Sequence, residues 1–197
     1  MSSLFYKLEQ EAFRAGVTAR TDEARTWFKG KIKELGKVNR TQLLKDEALI
    51  RKQRTMMGNM YMYFYDPKHR ETLPYYDMFP LTIMVEKAPG GFYGLNLHYL
   101  KPTTRALFLD KLTDTMTNQK YDDSTRFRLR YSLLSSVRKF KEFEPCFKHY
   151  LTSQIDSRIV MVQPPEWEIA IFLPTEQFAK SSKQKVWKDS TNKIRGL

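Results

Sequence analysis

The sequence predicts an α+β fold: a small curled β-sheet or SH3-like β-barrel core with helices packed outside it. Three observations point there. Residues 60–100 (MYMYFYDPKHRETLPYYDMFPLTIMVEKAPGGFYGLNLHYL) gather aromatic and β-branched residues around three turn signals. The stretches on either side carry apolar residues at helical spacing instead. With 41% hydrophobic residues among 197, the chain can bury a core that holds both kinds of element.

Residues 3–15 read as a helix, with Leu4, Phe5, Leu8, Ala12 and Phe13 on one face and Gly16 as its stop. Thr21 caps a second helix, whose first turn holds Asp22 and Glu23 where the helix dipole favours acids. Trp27, Phe28, Ile32 and Leu35 form its apolar stripe, and Gly36 ends it. Thr41 opens a third helix, expected to run to Lys52.

Residues 60–65 read as a strand broken by the turn opener Asp66-Pro67. Residues 81–86 form a second strand, and Ala88-Pro89-Gly90-Gly91 reverses the chain into a third over residues 92–99. Gly94 inside that strand signals a bulge or a close backbone approach. Pro102 opens a helix with Ala106, Leu109 and Leu112 on one face. A further helix is expected over residues 125–137, and another from Pro145 to Gln154. Residues 158–163 and 168–173 read as two more strands, with a helical turn as the alternative for PEWEIAIF.

The formal net charge is +12, and its placement is uneven. Residues 1–55 carry +6, residues 56–123 carry −1 and residues 124–197 carry +7. The expected organisation is a basic helical N-terminal segment (1–55), an α+β core domain (56–178) and a basic C-terminal tail (179–197). Such an excess attracts a polyanion or an acidic protein face. The lone Cys146 excludes an internal disulfide and fits a reducing compartment. No signal peptide is legible, and no apolar run approaches the roughly 18 residues that span a bilayer, so a soluble protein without membrane contact is expected.

Catalytic motifs are scarce. His69, His98 and His149 are scattered without metal-ligand spacing, and no phosphate-loop, dinucleotide or nucleophile-elbow motif occurs, so no metal or cofactor is expected. Asp77, Glu86 and Lys87 loosely resemble a metal-nuclease trio. Glu86 and Lys87 are adjacent, however, and would point to opposite faces of a strand. Alternation sets Asn96 and His98 on one face, either as a phosphate-holding patch or as a hydrogen-bonded pair inside the fold. Tyr61, Tyr63 and Tyr65 likewise share a face, as base-stacking platforms or as cross-strand packing. The candidate DNA-phosphate contacts are Arg126, Arg130, Arg138 and Lys139, with Lys180, Lys183, Lys185 and Lys188 of the tail. Arg126 and Arg130 are i,i+4 neighbours able to face one partner.

The segments YMYFYDPKHRETLPYYDMFPL (61–81), GGFYGLNLHYL (90–100), FKEFEPCFKHYL (140–151) and EWEIAIFLPTEQF…KVWKDS (166–190) carry a resemblance. Together they resemble a family of small virion-associated proteins of T-even-type contractile-tailed phages, marine cyanophage relatives included, over most of residues 20–190. The resemblance implies a non-enzymatic protein that enters the filled head with the genome and caps a duplex end. Its partners would be double-stranded DNA and other virion structural proteins, and its location the virion, with the host cytoplasm during assembly. The alternative within the same virions is a structural adaptor of the neck, tail or baseplate that makes no DNA contact.

Overall fold

Alternation along five strands decides the architecture. The computed structural model describes residues 4–46, 49, 57–117, 132, 136 and 141–196. Its strands are β1 (Met60–Met62), β2 (Tyr76–Asp77), β3 (Leu81–Ala88), β4 (Gly91–Asn96), β5 (Phe147–Leu151), β6 (Val160–Val162) and β7 (Phe178–Ala179). Five of them form one antiparallel sheet in the order β5-β4-β3-β1-β6, and β2 pairs with β7 apart from it. The sheet is open: β5 and β6 stand at opposite edges, so the barrel alternative is corrected to an open sheet among the described residues. The α+β class stands.

On one face Met60, Met62, Leu81, Ile83, Val85, Leu95, Val160 and Val162 enter the main core. The helices covering this face are α1 (Leu4–Arg14), α2 (Asp22–Leu35), α3 (Arg40–Leu44), α4 (Pro102–Thr117), α5 (Trp167–Phe172) and α6 (Lys183–Arg195). They add Phe5, Phe28, Leu44, Leu109, Ile171 and Val186, among others, to the same cluster. Each such side chain contributes about 1.5–3 kcal/mol on full burial. The other face carries Tyr61, Tyr63, Tyr65, Met84, Phe92, Tyr150 and Met161. Tyr63 meets Tyr150 edge-on at 5.6 Å between ring centroids, so the tyrosine row is cross-strand packing and not an exposed stacking platform.

Local signals hold where they are short-range. Thr21 Oγ1 accepts the Ala24 amide at 3.1 Å, a cap worth about 1 kcal/mol. Gly90 turns the β3–β4 hairpin at φ +72. Gly94 marks a close approach: a Cβ there would lie 2.3 Å from Thr82 Cγ2, and the bulge falls in the facing strand, between Met84 and Glu86.

Four expectations are corrected. The third helix is capped by Asn39, whose side chain accepts the Gln42 amide, and it ends at Leu44. The third strand stops at Asn96, because the Asn96 side chain accepts the His98 amide and turns Leu97–Tyr99 into a 3-10 helix. The helix expected over residues 145–154 is replaced by the edge strand β5, Phe147–Leu151, paired with Gly91–Leu95, and a short 3-10 turn at Thr152–Gln154. Residues 168–172 belong to a helix, α5, as the alternative reading had it, and Leu173 is its C-cap. The helix expected over residues 125–137 lies outside the described residues, apart from Ser132 and Ser136.

Candidate nucleic-acid interface

The basic C-terminal helix is held by a buried polar network that starts at Asp77 in β2. Asp77 Oδ1 accepts the amides of Phe79 (3.1 Å) and Gln177 (3.2 Å). Its Oδ2 lies 3.0 Å from Asn96 Nδ2 and 2.7 Å from His98 Nδ1. With Nδ1–H donating to the carboxylate, His98 Nε2 accepts from the Thr175 hydroxyl at 3.1 Å. All four side chains are buried. The connectivity is that of a hydrolase triad, but no member reaches solvent, so Asn96 and His98 are a hydrogen-bonded pair inside the fold. Asp77 is thus spent on structure. Among the described residues no group of three or more His, Cys, Asp or Glu is placed to hold a metal ion.

Next to this network Arg105 of α4 is fully buried. Its guanidinium donates to the carbonyls of Leu100 (2.9 Å), Ile171 (3.0 Å) and His98 (3.4 Å), and lies 3.7 Å from Glu176 Oε2. Burial lowers its pKa from the ordinary value, opposed by Glu176 and Asp77. Glu176 Oε1 accepts from Lys183 Nζ at 3.1 Å. From α3, Arg40 holds the carbonyls of Thr175 (2.8 Å) and Glu176 (3.0 Å).

Helix α6 docks on this platform. Val186 and Ser190 are buried, and Trp187 Nε1 donates to the His98 carbonyl at 2.9 Å. Arg105 and Lys183 both lie over the Trp187 ring, 5.7 and 5.6 Å from its centroid. The stretch expected as a tail is therefore an ordered helix, capped at Ser182 and closed by Gly196 in the left-handed conformation.

The candidate phosphate contacts separate by their surroundings. Lys180 stands at φ +63, and its ammonium donates to the carbonyls of Arg70 (2.6 Å), Glu71 (3.1 Å) and Leu73 (3.4 Å), closing that loop. Lys183 is paired with Glu176. Lys185 and Lys188 are exposed and make no ion pair among the described residues. Arg126, Arg130, Arg138 and Lys139 lie outside the described residues. Several N-terminal cations are internally paired as well: Arg25 with Asp110, and Lys31 with Glu11 (3.2 Å) and Glu34 (2.9 Å). Sequence reasoning passed over Arg195, which shares a helical face with Lys188 seven residues earlier and is also exposed. The i,i+7 spacing was the available signal.

A comparison against protein families matches residues 3–192 to the family described as Phage T4 terminal DNA protecting protein. No curated protein and no solved structure matches.

Proposed function

The chain belongs to the phage T4 terminal DNA protecting protein family, and from that premise we propose that it binds duplex DNA through phosphates and shields its ends. The observation that carries the reading is the family match over nearly the whole chain, joined to a docked helix whose outward cations Lys185, Lys188 and Arg195 lack acidic partners among the described residues. A duplex presents closely spaced negative charges, and cations on a rigid helix meet them without reference to base sequence. The reading assigns Arg126, Arg130, Arg138 and Lys139 the same role as Lys183, Lys185 and Lys188. Lys180 would contribute field more than contact, since its ammonium closes a loop. No catalytic step is required: protection is steric. Association with other virion structural proteins, and a host-cytoplasmic stage before head completion, belong to this reading.

The test is exonuclease digestion of a linear duplex with and without the protein, followed across salt. Neutralising about 6–10 phosphates makes affinity fall about 10³–10⁵-fold between 50 and 200 mM salt. Reversing Arg126, Arg130 and Lys139 to Glu abolishes protection. A flat salt response, or full protection by that variant, would instead favour an adaptor that meets acidic virion subunits.

A further inference from the structure

Beside the docked α6 the surface sinks into a groove of about 420 Å³ lined by Lys101, Gln184, Trp187, Lys188, Thr191, Asn192 and Arg195. Six of these come from α6 at positions 184, 187, 188, 191, 192 and 195, which is one helical face over three turns. The seventh, Lys101, immediately precedes α4. It is brought to α6 by the Leu97–Tyr99 turn that Trp187 clasps through the His98 carbonyl.

The charges of the lining are all of one sign. Lys101, Lys188 and Arg195 are exposed cations with no ion pair among the described residues. Gln184 and Asn192 add amide donors. No carboxylate lines the groove among the described residues. The single acid of α6, Asp189, is directed away, against Tyr75, where its charge and hydrogen bond raise the phenol's pKa behind the larger effect of burial. The floor is rigid, because Trp187 is hydrogen-bonded to the core and has Arg105 over its ring. A groove with three cations and no carboxylate around an aromatic floor suits the concentrated charge of a terminal phosphate.

We infer that this groove is the seat of a terminal phosphomonoester of DNA, with the adjoining phosphodiester beside it. A terminal phosphate carries a charge of about −1.5 to −2 at neutral pH. With the next diester it roughly balances the three cations of the groove. The inference rests on the DNA reading above and deepens it, since it gives the protein a chemical means of telling an end from an interior stretch. Arg195 supplies the bidentate fork, while Lys101 and Lys188 act as point charges.

The experiment measures binding of the full-length protein to one blunt duplex prepared with 5′-phosphates, with 3′-phosphates or with hydroxyl ends, and to the same sequence in a closed circle. A phosphorylated end is expected to bind about tenfold tighter or more than a hydroxyl end, the size of a charge-assisted hydrogen bond. That preference weakens as pH falls through about 6, where the phosphate dianion takes up a proton and becomes a monoanion. Lys101→Ala with Arg195→Gln removes the preference and makes the salt slope shallower by about 2. Both positions are exposed, so folding is retained, which circular dichroism checks; Lys68→Ala serves as the charge control. Equal binding to phosphorylated and hydroxyl ends, with the double variant indistinguishable from wild type, overturns the groove while DNA binding stands. Absence of binding to every substrate at low salt overturns the DNA reading itself.

Discussion

His98 Nδ1 lies 2.7 Å from Asp77 Oδ2, and neither side chain reaches solvent. That pair fastens β2 to the end of β4, and through Thr175 to the segment that precedes α6. A carboxylate accepting from four donors, three of them buried, is a structural knot, because removing it breaks four hydrogen bonds at once. Asp77→Ala is expected to cost about 3–5 kcal/mol in urea unfolding. The fraction that remains folded binds DNA as the wild type does. A loss below about 1 kcal/mol would show that the network is not a stability element.

Glu176 supplies the acid limb of stability. Burial pushes its carboxyl up, but Arg105, His98 and Lys183 outweigh burial and hold it below the ordinary value of 4.5. The folded state thus favours the ionised form. Its contribution is complete above about pH 4.5 and is lost as pH falls through the lower folded value. Glu176→Gln removes that pH dependence and leaves Arg105 buried without its counter-ion, at a cost of about 3–5 kcal/mol near pH 7. Unfolding free energies at pH 3 and pH 7 check it: the difference between variant and wild type narrows at the lower pH.

Gly91 and Gly90 are neighbours with different reasons to be glycine. A Cβ on Gly91 would lie 1.8 Å from the Tyr150 carbonyl oxygen, so Gly91→Ala drives β5 off β4. Gly90 needs its positive φ, and a Cβ there would press on Leu151 Cδ2 at 3.3 Å, a side-chain end that can shift where the Tyr150 backbone cannot. Gly90→Ala is expected to cost about 1–2 kcal/mol. Gly91→Ala costs more than about 3 kcal/mol and exposes the β5 amides to hydrogen exchange. Equal costs would refute the close approach.

Cys146 reports global opening. Burial pushes its thiol up to about 12, with Lys148 and Arg105 opposing. An acid held neutral when folded contributes stability below its ordinary value, 9.0, and loses it as pH rises towards 12. Alkylation of the native protein at pH 8 is therefore expected to be slower than that of the urea-unfolded chain by the fraction of molecules open at any moment. Labelling as fast in the native protein as in the unfolded chain would place the thiol at the surface.

The legible parts of the chain were those whose causes lie within a few residues. Thr21 as a cap, Gly16 and Gly36 as stops, Pro89-Gly90 as a turn and the start of α4 at Pro102 all depend on near neighbours. β5 was misread because Phe147–Leu151 becomes a strand by pairing with residues more than fifty positions earlier. Lys180 was read as a free cation although carbonyls of residues 70, 71 and 73 enclose its ammonium. Lys101 gave no signal, because the cations it meets across the groove, Lys188 and Arg195, lie on α6, far along the sequence.

By itself the sequence determined a basic α+β chain, the type and position of most elements, and the residues through which its family is recognised. Only the tertiary structure decided which cations face solvent and which hold the core together. Charge is a sum over composition, fixed once the residues are written. Whether a lysine or arginine is available depends on what the fold sets against it, and for Arg40 those partners, the carbonyls of Thr175 and Glu176, lie 135 and 136 residues away.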